Sequence, residues 1–335
     1  GDDIMVGNGG RGDRYIGASG FDWANYQHPT LAAEADLNLR AFNETPVPLS
    51  PSSVLARFES VEGLSGSQFG DILRGDDADA AVIASSGFTG SVMNETGIAL
   101  INGMQQLLND LTPGPANVTS FGAGNIILGG DGSDILEGRG GDDMIDGDLA
   151  LNVRISVRAG HDANGPTGAE VSTTNSMTGV LQGGPHAGMT LSDAIFQGLI
   201  NPGQLQIVRE ILAPTNGDPD FDTAMFSGPL FNVADGVFNY EIRVNGVLRD
   251  LGPGPIANFG PLIPAGAVVT VTDITDPVLG GPDGTDTLRN VEQLRFADQD
   301  VTIFAANNPA AGNPLIAGVV EEDELLTVSI NNVTD

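Results

Sequence analysis

A nine-residue pattern of glycine and aspartate recurs in this chain and restricts its fold more than any other feature. Residues 129–137 fit G-G-x-G-x-D-x-U-x, where U is a large apolar residue, and residues 138–146 fit it with Arg139 in the second position. Asp134 and Leu136 occupy the same places in the first copy as Asp143 and Ile145 in the second. Glycine permits positive φ, and the apolar residue after the aspartate points into a core. Two consecutive matches therefore predict short strands joined by glycine-rich turns.

Looser copies of the pattern occur along the rest of the chain. Three open it, one near 63–73 is stretched by an insertion, and a late one covers 280–288. The aspartates that correspond to Asp134 in these copies are Asp3, Asp13, Asp22, Asp71 and Asp286. The weakest copy ends at Asp222. Residues 122–128 form a decayed copy with Ile126 at the aspartate position, so we expect this turn to pack without binding metal.

The charge balance and the cysteine count restrict the partners of the chain. Lys+Arg number 13 and Asp+Glu 44, so 13 − 44 gives a formal net charge of −31. Nucleic acid and anionic membrane surfaces are poor partners for such a chain, because binding them needs basic side chains. Cysteine is absent, so neither a disulfide nor a thiolate metal site stabilises the fold. A bound cation must therefore be held by oxygen.

Calcium is the cation that the repeats favour. The turns aim backbone carbonyls inward and the aspartate adds a carboxylate, while Ca²⁺ takes about 6 to 8 oxygen ligands at roughly 2.3 to 2.6 Å. Each ion is expected between turns of successive repeats, so that stacking and binding are coupled. The candidate ligands are Asp134, Asp143, Gly129, Asp131, Gly138, Gly140, Asp142, Asp148, Asp3, Asp13, Asp22, Asp71 and Asp286.

The repeats resemble those of the RTX (repeats-in-toxin) calcium-binding family of secreted Gram-negative proteins. This resemblance covers about a quarter of the chain. It implies export in unfolded form through a type I channel and folding into parallel β-rolls on meeting extracellular calcium ions. It assigns the chelating-carboxylate role to Asp3, Asp13, Asp22, Asp71, Asp134 and Asp143, and the carbonyl-turn role to the adjacent glycines.

A second, looser resemblance covers more of the chain. Residues 21–26, 60–66, 147–155 and 284–292 are similar to the region that follows an animal-type haem peroxidase domain in very large bacterial RTX proteins. The resemblance implies a parent with peroxidase or manganese-oxidising activity, or one that attaches to surfaces. The three histidines, His28, His161 and His186, lie in loop-like contexts without a recognisable haem-ligand setting.

Together these patterns predict a mainly β fold with parallel β-roll segments, insertions, one or two helices and an antiparallel β-sandwich-like unit. Apolar residues at helical spacing predict a helix near 94–111, with Asn94 as its N-cap. Alternating residues from 151 onward predict half-buried antiparallel strands. The expected divisions are repeats at 1–26, an insertion at 27–119 with a further repeat at 60–80, repeats at 120–148, the antiparallel unit at 149–304, and a linker with the start of a following domain at 305–335.

Three functions remain open from the sequence. The first is a calcium-folded structural module of a secreted or cell-surface protein, which is not itself an enzyme. The second is the accessory region of a secreted haem peroxidase, and the third is a self-associating adhesin or surface-layer segment. No apolar run approaches the roughly 18 residues of a membrane span. Adjacent carboxylates such as Asp142 and Asp143 are expected in so acidic a chain, so they do not indicate a catalytic site. Neighbouring domains of the same chain are the expected protein partners.

Overall fold

The computed structural model describes residues 1–7, 13–28, 30–41, 56–85, 91–112, 117–213, 220–260, 262–264, 266–275, 281–304, 315–317 and 327–329. The protein is mainly β, and its sheets are mixed. The helices are α1 (Ala80–Ser85), α2 (Glu95–Leu100), α3 (Met104–Leu111) and α4 (Leu191–Phe196), with a 3₁₀ turn at Pro202–Gln204. Among these residues no helix is long and apolar enough to cross a membrane.

The strands are short where the repeats occur and longer between residues 150 and 212. In chain order they are β1 (Ile4–Val6), β2 (Arg14–Ile16), β3 (Trp23–Asn25), β4 (Glu34–Asp36), β5 (Arg57–Glu59), β6 (Gly63–Ser65), β7 (Ile72–Arg74), β8 (Met93–Asn94), β9 (Ser120–Phe121), β10 (Ile126–Leu128), β11 (Ile135–Glu137), β12 (Met144–Asp146), β13 (Ala150–Asp162), β14 (Gly165–Thr174), β15 (Leu205–Leu212), β16 (Thr223–Met225), β17 (Phe231–Asn232), β18 (Val237–Phe238), β19 (Tyr240–Val244), β20 (Val247–Leu248), β21 (Val269–Asp273), β22 (Thr285–Arg289), β23 (Gln293–Arg295), β24 (Asp300–Thr302), β25 (Leu315–Ala317) and β26 (Thr327–Ser329).

Most of the repeat strands belong to two large sheets, and successive strands along the chain often lie in different sheets. The first sheet has the order β1-β3-β6-β10-β12-β22-β21-β19-β20, and the second has the order β24-β23-β16-β11-β7-β4. Pairing is parallel from β1 through β22 in the first sheet and from β4 through β23 in the second. Strands β2 and β5 form a separate parallel pair. The three predicted repeat clusters therefore contribute neighbouring strands, although long segments separate them in sequence.

The core lies where the middle residues of these strands point inward. Neighbouring side chains of a strand point to opposite faces. In a three-residue strand, the middle side chain therefore points to one face of the sheet and the two outer side chains point to the other. On the first sheet the middle residues include Leu64, Ile127 and Ile145, and on the second they include Leu73 and Leu136, and all five are buried in one cluster. The eighth position of the repeat is thus the core position.

An insertion covers the outer face of the first sheet. Trp23 and Ile126 on that face belong to one buried cluster with Met104 and Leu108 of α3. The sequence predicts one helix near 94–111, whereas the structure has two, α2 and α3, because Gly103 adopts φ +88° between them. Asn94 caps α2 as expected, since its side chain accepts hydrogen bonds from the next turn.

The range 149–304, predicted as one antiparallel unit, divides between two arrangements. Strands β13, β14 and β15 form a separate antiparallel sheet of order β14-β13-β15. Strands β16, β22 and β23 instead pair in parallel with repeat strands, because the late copies of the pattern continue the same two sheets. Antiparallel β21 and β24 then extend the first and second sheets, respectively. Of the predicted linker at 305–335, the structure describes the antiparallel pair β25 and β26.

Candidate metal sites

Two rows of mostly acidic residues run across the strands of the two sheets. Each member stands two residues before an inward-pointing core residue. The first row precedes strands of the second sheet and contains Asp71, Asp134, Asp222 and Glu292. The second row lies along the first sheet and contains Asp3, Asp22, Glu62, Asn125, Asp143 and Asp286.

Hydrogen bonds connect successive members of the first row. The backbone amide of Asp71 donates to Oδ1 of Asp134 at 2.6 Å. The amide of Asp134 donates to Oδ1 of Asp222 at 2.7 Å, and the amide of Asp222 donates to Oε2 of Glu292 at 2.7 Å. One carboxylate oxygen of Asp134, Asp222 and Glu292 is therefore held by the neighbouring strand, which fixes where the other oxygen lies.

The second row repeats this arrangement with two variations. Asp3 donates its backbone amide to Oδ1 of Asp22 at 2.7 Å, and Asp143 donates to Oδ1 of Asp286 at 3.2 Å. Between these two pairs, Glu62 and Asn125 are the members of the row that directly precede β6 and β10, respectively. The sequence placed Ile126 at the aspartate position, but the register of β10 against β12 puts Asn125 beside Asp143. Ile126 belongs to the strand and packs outward.

Four aspartates of these rows each have one buried oxygen without a hydrogen-bond partner. The atoms are Oδ2 of Asp22, Asp134, Asp143 and Asp222, and each of these residues is at most 1% exposed. An unpaired buried carboxylate is costly unless a cation or a proton compensates it. These atoms are therefore the strongest indication of cation binding in the described part of the chain.

Glycines bring carbonyl oxygens close to three of these carboxylates. A Cβ atom at Gly129 would overlap both Oδ2 of Asp134 and the carbonyl oxygen of Gly147. A Cβ at Gly147 would overlap Oδ2 of Asp222 and the carbonyl oxygen of Asn290. Gly17 has the same relation to Asp22 and to the carbonyl oxygen of Ser60. A carbonyl oxygen of another turn thus lies close to each of these carboxylate oxygens, and both are ligand types that Ca²⁺ takes.

One group of three carboxylates is close enough to share an ion. Ligand oxygens of Asp148, Asp220 and Asp222 all lie within 4.8 Å of one another. Two oxygens that are each about 2.3 to 2.6 Å from one calcium ion are separated by at most about 5 Å. Two unit charges about 4 Å apart repel by roughly 4 kcal/mol at an effective dielectric constant near 20. The spacing therefore suits one shared divalent cation.

Burial raises the pKa of these carboxyl groups. Desolvation by burial, the largest cause, raises the pKa of Asp22 to about 6 and that of Asp134 to about 8. The pKa of Asp148 rises to about 7 and that of Asp222 to about 10, through burial and then through the charge of neighbouring aspartates. In the absence of metal, protons would therefore occupy several of these positions near neutral pH.

The pKa values of Asp143 and Asp286, which form a pair in the second row, are also raised. Burial is the largest cause that raises the pKa of both Asp143 and Asp286, and the charge of Asp143 raises that of Asp286 further. A divalent cation shared by these two residues would replace the proton and favour the ionised forms.

Several predicted ligands occupy other settings. Asp71 is buried, but Oδ1 accepts from the amide of Ala33 at 2.6 Å and Oδ2 accepts from the amide of Ser67 at 2.5 Å. Both of its oxygens are therefore engaged within the protein. Asp3 and Asp142 are exposed, and Oδ1 of Asp142 accepts from the amide of Thr285 at 3.0 Å.

The remaining predicted ligands lie at the turns themselves. Asp13 and Asp131 are half-buried, and Asp13 directly precedes β2. Gly138 is buried, and a Cβ there would overlap Oδ2 of Asp143, whereas the space beside Gly140 faces the carbonyl oxygen of Pro282 at 3.1 Å. The structure therefore brings Gly129 and Gly138 to unpartnered carboxylates.

The candidate ligands from the sequence do not include Asp220, Asp222, Glu62, Asn125 or Glu292, although the weakest copy of the repeat ends at Asp222. A usable signal exists for four of them, because each stands two residues before a fully buried apolar side chain, as the repeat aspartates do: Glu62, Asn125, Asp222 and Glu292. Asp220 has no such signal, since its relation to Asp148 arises from folding. No family model matches the chain, and a search of curated proteins finds no match.

Proposed function

We propose that the protein is a calcium-binding structural module of a secreted or cell-surface protein, and that the parallel strands of its two large sheets form a β-roll of the RTX type. The observation that carries the proposal is the set of unpartnered, fully buried oxygens of Asp22, Asp134, Asp143 and Asp222. Each of these residues directly precedes a strand of one of the two large sheets, at the position that corresponds to the repeat aspartate. A row of buried carboxylates without cations is an unstable arrangement above their pKa.

Calcium suits these positions better than other common cations. The donors beside Asp22, Asp134 and Asp222 are carboxylate and carbonyl oxygens, and such all-oxygen, irregular sets favour Ca²⁺ over thiolate- or imidazole-preferring metals. Magnesium requires a tighter octahedron and gives up water reluctantly. Because the donors come from different repeats, ion binding would hold successive turns together.

The proposed ions would contribute much of the stability of the fold. At a free calcium concentration about a hundredfold above Kd, each site adds roughly 2.7 kcal/mol to the free energy of unfolding. Four such sites would add a total comparable to the stability of a typical domain, about 5 to 15 kcal/mol. A module of this kind would fold where calcium is plentiful, which agrees with the proposed extracellular location and export in unfolded form.

Calorimetric titration of the EDTA-stripped chain with Ca²⁺, with circular dichroism recorded alongside, tests the proposal. We expect several ions to bind and β-structure with a cooperative thermal transition to appear or strengthen as they do. Mg²⁺ at the same concentration is the control and should produce a much smaller change. A metal-free chain that is equally ordered and heat-resistant, and that takes up no calcium, would overturn the proposal.

A further inference from the structure

The chain leaves the two large sheets after β12 and returns to them at β16. Residues 149–219 between these points, here called the excursion, contain the antiparallel sheet of β13, β14 and β15. Asp148 stands at the departure point, and Asp220 and Asp222 stand at the return. The carboxylates that face one another here therefore come from two segments that are distant in sequence.

Three observations point to a ligand at this junction. The carboxylate oxygens of Asp148, Asp220 and Asp222 lie within 4.8 Å of one another. Oδ2 of Asp222 has no hydrogen-bond partner, and the residue is 0% exposed. A Cβ atom at Gly147 would overlap both this oxygen and the carbonyl oxygen of Asn290, so a carbonyl oxygen lies close to the unpartnered carboxylate oxygen.

A basic side chain near this junction is already engaged. Burial and neighbouring carboxylates raise the pKa of Asp148, and the charge of Arg289 only partly opposes them. Nε of Arg289 donates to Asp146 at 2.6 Å and its Nη1 donates to Asp110 at 2.9 Å. Asp146 is itself 0% exposed, so moving Arg289 toward the junction would remove the ion-pair partner of a buried carboxylate. Binding a cation from solution at the junction would leave the ion pair between Arg289 and Asp146 intact.

We propose that Asp148, Asp220 and Asp222 bind one Ca²⁺ that closes the excursion at its root. This inference rests on the proposed function, because it takes calcium as the ion of the protein. It goes beyond it in assigning a site to two chain segments that no single copy of the repeat covers. It also assigns a role to that site, which is to hold the excursion against the two large sheets.

The contacts at the root show what the ion would add. Leu151 donates its amide to Oγ of Ser65 at 2.9 Å and accepts from Nδ2 of Asn25 at 2.5 Å. On the far strand of the excursion, the amide of Ile211 donates to the carbonyl oxygen of Asn102 at 2.8 Å. The pairing of β13 with β15 already joins the two ends of the excursion as far as Ala150 and Leu212. An ion bound by Asp148 and Asp220 would extend this connection beyond the last strand pair, to the points where the chain leaves and rejoins the two large sheets.

The test compares single variants of the full chain, Asp148→Asn and Asp220→Asn, with the double variant. Asp162→Asn is the matched control, because it removes the same charge within the excursion and keeps an oxygen for the amide of Asn164. Calcium stoichiometry is measured by calorimetry. Hydrogen exchange is measured for Leu205–Leu212 of β15 and for Ile126–Leu128 of β10, with and without Ca²⁺.

We expect each single variant to bind one ion fewer than the parent chain, and the double variant to lose no further ion. Calcium should slow exchange in β15 of the parent and the control by at least tenfold, and this protection should be lost in the variants. The strand β10 should remain protected by calcium in all of them, which also verifies that the variants fold. Unchanged stoichiometry and unchanged protection of β15 in both single variants would overturn the inference. If the parent chain itself binds no calcium, the proposed function fails instead.

Discussion

The backbone amide of Asp134 donates a 2.7 Å hydrogen bond to Oδ1 of Asp222, a residue 88 positions further along the chain. This bond holds one oxygen of Asp222 and leaves Oδ2 buried without a partner. Asp134 has the same arrangement with the amide of Asp71. One oxygen of each aspartate thus connects neighbouring strands, and the other is available to a cation.

Replacing Asp134 by asparagine should change stability in opposite directions with and without calcium. With free calcium about a hundredfold above Kd, we expect the free energy of unfolding to fall by roughly 2.7 kcal/mol, the contribution of one lost ion. In EDTA near pH 9, above the pKa of about 8, the variant should be more stable by about 1 kcal/mol, because an amide can donate to the carbonyl oxygen of Gly147. Thermal melts under both conditions check this, and a loss of stability in EDTA would contradict it.

The stability of the metal-free protein should fall as pH rises from about 4 to 8. The folded-state pKa of Asp22 is about 6 and that of Asp134 about 8, both above the unfolded value of about 3.9. Between these values the folded state holds protons that the unfolded state has lost, so their contribution is complete below the unfolded pKa and is lost through the folded pKa.

Calcium should reverse this dependence, because protons and the ion compete for the same carboxylates. The difference in Tm between calcium and EDTA should therefore widen from pH 5 to pH 8. Melts at unit steps of pH in the two conditions measure it. A difference that stays constant over this range would show that these groups do not bind the ion.

Alanine at Gly129 should disrupt the turn, whereas alanine at Gly254 should be tolerated. A Cβ at Gly129 would overlap Oδ2 of Asp134 and the carbonyl oxygen of Gly147, whereas nothing lies within 4 Å of a Cβ at Gly254. We expect Gly129→Ala to cost about 1 to 3 kcal/mol through overpacking and to weaken calcium binding. Gly254→Ala should change stability by less than about 0.5 kcal/mol. Equal effects of the two substitutions would contradict the close approach at Gly129.

Aspartate at position 125 should destabilise the metal-free protein. Nδ2 of Asn125 donates to the carbonyl oxygen of Glu62 at 3.2 Å, and its Oδ1 accepts from the amide of Asp76 at 2.8 Å. A carboxylate cannot make the first bond, so we expect a loss of about 1 to 3 kcal/mol in EDTA. Urea unfolding measures it. Asn164→Asp, an exposed position with the same charge change, is the control and should stay within about 0.5 kcal/mol of the parent.

Lysine at position 139 should weaken the link between the turn after β11 and strand β4. Arg139 donates to both carboxylate oxygens of Asp36, at 2.7 and 2.9 Å, and to the carbonyl oxygen of Gly75 at 3.0 Å. Lysine cannot reproduce this planar fork, so the free energy of unfolding should fall by about 1 to 2 kcal/mol. The more exposed Arg243→Lys should have little effect in the same assay. Equal losses from both would mean that the fork geometry is not what stabilises the fold.

The sequence predicts the local elements well where the repeat is regular. The period places Asp134 and Asp143 just before short strands, and it places Leu136 and Ile145 in the core, because neighbouring side chains of a strand point to opposite faces. It was less accurate where the copy decays. Asn125, rather than Ile126, takes the aspartate position, because only pairing with β12 fixes the register of β10.

The sequence by itself determined that acidic turns alternate with short, inward-packing strands, since both follow from spacing within nine residues. Only the tertiary structure decided which turns are neighbours. The approach of Asp148 to Asp220 and Asp222, and the bond between Asp143 and Asp286 across 143 positions, depend on how inserted segments of unequal length return the chain to the same sheets. No local pattern carries that information, because the register between strands is set by packing across the whole core.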